Sequence, residues 1–199
     1  MVDHPESGPD RDARRRSAAA RARTNKRILF PPQELVAGFE VAVVACPRAL
    51  QSDLEGIFPG VDLARVVTLM SAQRCANDIT NVGPEIADEK DRLLESFVGW
   101  AAAVCDALAE RDPACWSDYI DPCSGLAVRT EGAHVVYNEV DAFSSMLRYH
   151  LQSAGMCRVV SHPRWGTSVY PCSMFTTAPF AIVEEVLAAG VGLPTPRPR

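Results

Sequence analysis

The feature that most constrains this chain is the stretch from about Glu85 to Glu110. Leu93, Leu94, Phe97, Val98, Ala101, Val104, Cys105 and Leu108 recur there at three- and four-residue steps, which puts them on one stripe of an α-helix. Glu85, Asp88 and Glu89 fall in its first turns, where the helix dipole favours negative charge. Such a stripe needs an apolar layer to cover it, and a sheet of the same chain is a simpler cover than a partner's groove.

Strands for that sheet can be read on both sides of the helix. Phe39–Ala45 is an apolar run of strand length, closed by Cys46-Pro47, and Pro47 suits the first turn of a helix to about Phe58 that Pro59-Gly60 stops. Arg65–Ala72, with Val66, Val67, Leu69 and Met70, reads as a second strand, and Asn77–Pro84 as a loop. Beyond the long helix, Trp116–Ile120 is a short strand and Asp121-Pro122-Cys123-Ser124-Gly125 a turn. Further strands are expected at Leu126–Val128 and His134–Tyr137. Asp141 then caps a helix through about Ser153 that carries Phe143, Met146, Leu147 and His150 on one side, with Gly155 as its stop. Strands at 157–162 and 166–177 and a helix over Ala178–Ala189 complete an α+β pattern.

The ends read differently. Residues 1–35 are expected to be a disordered basic tail and linker, the linker running over 28–38 through Pro31-Pro32. Residues 36–190 form the folded domain, and 191–199, with Pro194, Pro196 and Pro198, a frayed end. Residues 10–27 hold eight basic side chains against Asp10 and Asp12, a net of +6. From residue 28 on, 12 basic residues face 21 acidic ones, a net of −9, so only the tail could attract a polyanion and no nucleic-acid partner is expected for the domain. The Arg, Ala and Ser content of 11–23 is that of a mitochondrial transit peptide, but Asp3, Glu6, Asp10 and Asp12 are not, and a solvated tail is the simpler reading. No run of about 18 apolar residues and no signal-peptide apolar region is present, so no membrane association is expected.

Little in the residues points to catalysis. There is no glycine-rich phosphate loop and no His-Glu-x-x-His pair. The seven cysteines (46, 75, 105, 115, 123, 157 and 172) include no Cys-x-x-Cys pair and fit reduced thiols in a cytosol or matrix; no metal site is expected. In the strand from Cys157, alternation puts Cys157, Val159 and Ser161 on one face and Arg158, Val160 and His162 on the other. Cys157 and His162 therefore cannot meet as a nucleophile pair within that strand. Cys157 itself is either packed or used.

Four blocks decide more than any single residue. They are Cys46-Pro47 with Leu54-Glu55-Gly56-Ile57-Phe58-Pro59, then Asn77-Asp78-Ile79-Thr80, then Trp116 to Ala127, and finally Cys157, Val159, His162, Trp165-Gly166-Thr167, Val169, Ser173 and Phe175-Thr176. In this order, from about residue 39 to 188, the chain resembles the C-terminal domain of the CblD (methylmalonic aciduria and homocystinuria type D, MMADHC) family of cobalamin-trafficking proteins. The resemblance implies a nitroreductase/flavin-reductase-like layered fold with a mainly antiparallel sheet flanked by helices. It implies a non-enzymatic adaptor, in the cytoplasm with the mitochondrion as the alternative second location, that binds no cofactor alone and meets cobalamin only through the processing protein CblC. From there it directs the cofactor to methionine synthase or methylmalonyl-CoA mutase. A flavin-dependent reductase of the same fold is the alternative; a thiol redox or metal-binding module is weaker, because the cysteines are dispersed.

The resemblance also implies a site. In that family a cysteine of a Gly-Cys-Cys triplet supplies sulfur to the cobalt of the CblC-bound cofactor, and the first cysteine is the ligand. Here the triplet is Gly155-Met156-Cys157. Cys157 ligates after a small shift or bulge, the Met156 thioether ligates, or docking proceeds without a sulfur bond. Partner contacts are implied for Gly155, Met156, Cys157, Asp121, Pro122, Ser124, Gly125, Trp165 and Gly166, although the 121–125 turn has architectural reasons for every residue. Cys123 stands where the family carries serine and has no family role.

Overall fold

In the computed structural model, which describes residues 27–195, the strands are β1 (Ile28–Val36), β2 (Phe39–Ala45), β3 (Val67–Arg74), β4 (Ser117–Tyr119), β5 (His150–Ala154), β6 (Cys157–Ser161) and β7 (Val169–Thr176). The helices are α1 (Arg48–Ile57), α2 (Pro84–Arg111), α3 (Glu139–Met146) and α4 (Phe180–Ala188). Five strands pair antiparallel in the order β1-β2-β3-β7-β4, and β5 and β6 form a separate hairpin. The molecule is α+β, as expected.

Strand alternation sorts the side chains into two layers. Phe39, Val41, Val43, Leu69 and Met174 face α2 and α4, where the α2 stripe of Leu93, Phe97, Ala101, Val104, Cys105 and Leu108 is buried as its spacing demanded. Trp100 joins that stripe, edge-on to Phe39 with ring centroids 5.1 Å apart. Each fully buried side chain of this size contributes about 1.5–3 kcal/mol. The opposite sheet face, with Val44, Met70, Ala72 and Phe175, is covered by α1, α3 and the β5–β6 hairpin through Leu54, Ile57, Phe143 and Val160.

Several expectations are corrected. The stretch 28–38 is not a linker: Ile28–Val36 is the edge strand β1, paired with β2. Proline lacks an N–H but is tolerated on an edge, and the pairing slips between Phe30 and Gln33, where Pro31-Pro32 lie. The expected helix over 141–153 is shorter and starts earlier. Asn138 Oδ1 caps it by accepting from Asp141 N at 3.1 Å, and it ends at Met146. Arg148, with φ of 59°, turns the chain, and residues 150–154 pair with 157–161. Gly155, with φ of 63°, is therefore a hairpin turn residue and not a helix stop.

Neither 126–128 nor 134–137 forms a strand; a single bridge joins Ile120 to Ala127, and Tyr137 N donates to Gly125 O at 2.8 Å. The strand expected from 166 begins at Val169, because His162 and Gly166 exchange backbone hydrogen bonds of 2.8 and 2.9 Å that fold the intervening residues into a loop. At the C-terminus Val191 and Leu193 pack against the α2 layer. The basic tail up to residue 26, and residues 196–199, lie outside the described residues.

Candidate functional site

The nine residues singled out from the sequence fall in three places. At the first, the 121–125 turn, the polar groups are spent locally. Asp121 Oδ1 accepts from Cys123 N at 3.0 Å, and Oδ2 accepts from Ser124 Oγ at 2.7 Å. Gly125 N donates to Asp121 O at 2.7 Å. Gly125 has φ of 73°, and a Cβ there would sit 2.7 Å from Val136 Cγ1, so both conformation and space require glycine. Just upstream, buried Asp118 accepts from Tyr119 N, Arg129 N and Thr130 Oγ1 at 2.7, 2.8 and 2.6 Å, tying down the chain that leaves the turn.

At the second place, Trp165-Gly166 closes a buried polar cluster at the base of the β5–β6 hairpin. Glu40 projects from β2 on the hairpin side of the sheet and is only 5% exposed. Its Oε1 accepts from Tyr149 Oη at 2.7 Å and from His162 Nε2 at 2.9 Å, and its Oε2 accepts from Arg164 Nη2 at 2.7 Å. His162 Nδ1 faces the backbone N–H groups of Arg164 and Trp165, each at 3.2 Å, so Nδ1 accepts and Nε2 carries the proton toward Glu40. Burial pushes the Glu40 carboxyl up, but the hydrogen bonds from His162, Tyr149 and Arg164 outweigh it and hold the group down at about 2. Trp165 stacks on His162 with ring centroids 4.0 Å apart, and Arg164 lies 5.1 Å from the Trp165 ring. Arg164 also reaches Glu34 on β1 at 2.9 Å.

The Asn77–Thr80 block belongs to the same framework. Asp78 Oδ2 accepts from Thr167 Oγ1 at 2.6 Å, and Glu89 of α2 accepts from Ala76 N at 2.6 Å and Asn77 N at 3.2 Å. Hydrogen bonds from Thr167 and then Thr80 hold the Asp78 carboxyl below its ordinary range.

The third place is the hairpin tip. Ala154 pairs with Cys157 across the two-residue turn Gly155-Met156. The five β5–β6 pairs run without a register shift, so the turn itself, and no bulge, brings Met156 and Cys157 to solvent. Met156 is fully exposed, and a Cβ added at Gly155 would meet nothing within 4 Å among the described residues. Alternation holds as expected: Val160 and His162 point inward, and Cys157 outward. Of the seven cysteines only Cys123 and Cys157 are exposed, while burial pushes Cys46 up to about 11 and Cys105 up to about 12. Arg158, beside Cys157, is fixed to Asp141 of α3 at 2.7 Å.

These three places do not form one cluster. Met156 and His162 lie at opposite ends of β6, roughly 20 Å apart at the usual rise of about 3.3 Å per residue. The tip can present sulfur to a metal centre carried by another molecule; among the described residues no three His, Cys, Asp or Glu side chains converge on a metal position. Sequence reasoning missed Glu40, Tyr149 and Arg164, although a carboxylate inside the apolar run Phe39–Ala45 is itself a signal of a buried partner. It also missed Glu139. Burial raises that carboxyl to about 7 against the opposing hydrogen bond from Ser173 Oγ, and its Oε2 meets no hydrogen-bond partner among the described residues.

Comparison with known proteins adds an independent line. The family model described as methylmalonic aciduria and homocystinuria type D protein matches residues 12–187. The cobalamin trafficking protein CblD of Gallus gallus and that of Homo sapiens are each 36% identical to this chain over 139 residues, 70% of the chain and 46% of their own length. The Mus musculus protein of the same name is 35% identical over the same span. The match thus covers about half the length of these curated relatives. None of them favours a flavin-dependent reductase. No helix among the described residues is long and apolar enough to cross a membrane.

Proposed function

The chain belongs to the methylmalonic aciduria and homocystinuria type D protein family, and from that membership we propose that it is a non-enzymatic adaptor in cobalamin trafficking. It docks with a CblC-type processing protein that carries the cobalamin, and directs the cofactor to methionine synthase, methylmalonyl-CoA mutase or both. It holds no cofactor alone and works in the cytoplasm, with the mitochondrion as a second location only if the basic tail serves as a transit peptide, on a layered scaffold of the nitroreductase/flavin-reductase kind.

The observation that carries this reading is the hairpin tip. Gly155-Met156-Cys157 has no side-chain role in the described fold, yet it is held out on a hairpin whose base is locked by Glu40 and His162. Both sulfurs suit a soft or intermediate metal, and the thiolate is the stronger donor, so Cys157 takes the ligand role toward partner-bound cobalt. Trp165-Gly166 holds the base of the hairpin that carries the tip, and the 121–125 turn is a further contact for the partner.

The test is an anaerobic visible-absorption titration of the chain into a CblC-type protein loaded with cob(II)alamin. A saturable spectral shift is expected, absent in Cys157→Ser and strengthened in Met156→Cys. A shift that persists in Cys157→Ser and vanishes in Met156→Leu would transfer the role to the thioether. Neither shift nor co-elution with the partner would refute the adaptor reading.

A further inference from the structure

Beside the hairpin lies a groove of about 340 Å³ between α1 and the segment 135–142. Its floor is apolar, with Leu54, Ile57 and Ala142 buried beneath it. The walls meet where a Cβ at Gly56 would lie 3.9 Å from the Val135 methyl groups. On the rim stand Val136, 64% exposed, and the carboxylates of Asp53 and Asp141. These two acids differ. Asp141 is engaged by Asn138 Nδ2 at 2.8 Å and Arg158 at 2.7 Å, whereas Asp53 is exposed and has no ion pair among the described residues.

Two features connect the groove to the tip. Four large apolar side chains are exposed among the described residues: Val82, Val128, Val136 and Met156. Asp141, on the groove rim, also grips Arg158, the residue after Cys157, so an ion pair ties the groove to the strand that carries the tip. The 121–125 turn supplies the backing. Gly125 O accepts from Tyr137 N at 2.8 Å, and the absence of a Cβ at Gly125 makes room for Val136 Cγ1, so the turn sets the position of that wall.

We propose that this groove is the second contact of the docking face, and that its occupant is a partner-protein segment presenting an apolar side chain next to a lysine or arginine. The apolar group covers Leu54, Ile57 and Val136, and the cation meets Asp53. Charge supports the choice of sign, since residues 28–199 carry a net of −9 and a basic segment is drawn to such a surface. The proposal rests on the adaptor reading and adds to it: the tip would supply coordination, and the groove most of the protein–protein affinity.

The experiment measures affinity and spectrum separately, using the full chain and a CblC-type protein loaded with cob(II)alamin. Val136→Asp is expected to weaken binding about tenfold or more, and Asp53→Asn about threefold with a shallower salt dependence. Both changes are at exposed positions, so thermal melts should match the parent within about 2 °C. At saturating partner the cobalt spectrum should reach its full shift in both variants. Unchanged affinity in both, with the tip-dependent shift intact, would overturn the groove while leaving the adaptor reading standing. No binding by the parent chain would refute both. Self-association of the parent chain in sedimentation, abolished by Val136→Asp, would make the groove a surface for a second copy and overturn the proposal.

Discussion

The two ends of the β5–β6 hairpin are built to opposite rules. At the base, His162, Tyr149 and Arg164 converge on one buried carboxylate, and Trp165 caps them by stacking. At the tip, the side chains of Met156 and Cys157 stand in solvent, and the space around Gly155 is open. Two short strands with exposed faces are marginal on their own. The base is what keeps this hairpin ordered, and ordering it in advance lowers the entropy lost when the tip meets a partner. The contrast teaches that motif residues near a site can serve it only by holding it still.

The largest test of that contrast is Glu40→Ala. It strips the buried donors of Tyr149 and His162, and the exposed guanidinium of Arg164, of their acceptor at once, and should cost about 3 kcal/mol in chemical denaturation. A loss below about 1 kcal/mol would mean that the base does not anchor the hairpin. The same group sets an acid limb. Its folded pKa of about 2 lies below the ordinary 4.5, so its contribution is present above about pH 4.5 and is lost as pH falls toward 2. That limb should amount to on the order of 2–3 kcal/mol, and Glu40→Gln should flatten it.

Glu139, the first residue of α3, has the reverse signature. Its folded pKa of about 7 exceeds 4.5, so its contribution is complete below about pH 4.5 and lost as pH rises through 7. Unfolding free energies at pH 5 and pH 8 should differ by on the order of 2 kcal/mol more in the parent than in Glu139→Gln. An equal difference in both would place the carboxyl in water. At the tip the effects shrink. Gly155→Ala forces a side chain to adopt a positive φ and should cost about 1 kcal/mol, with open space around it and no clash to add.

How much of this was legible depends on what kind of order a residue obeys. The α2 stripe and the faces of β6 follow from periodicity, because one apolar layer decides each of them. The family blocks revealed the tip by resemblance, but not its form: a helix ending at Gly155 and a hairpin turning there use the same glycine. Only the pairing of 150–154 with 157–161 distinguishes the two. The edge strand β1 was masked by Pro31-Pro32, whose cost falls away once no strand lies beyond it. Glu40 escaped because its partners are 109, 122 and 124 residues distant in sequence, a separation that no local pattern encodes.

The central claim is that the base is architecture and the tip is function. The direct measurement pairs a thermal melt with the anaerobic cob(II)alamin titration on one protein, the double variant Met156→Ala, Cys157→Ser. The account predicts stability within about 0.5 kcal/mol of the parent, as for exposed substitutions without contacts, together with complete loss of the spectral shift. A full shift in this variant, or a loss of shift accompanied by unfolding, would contradict it.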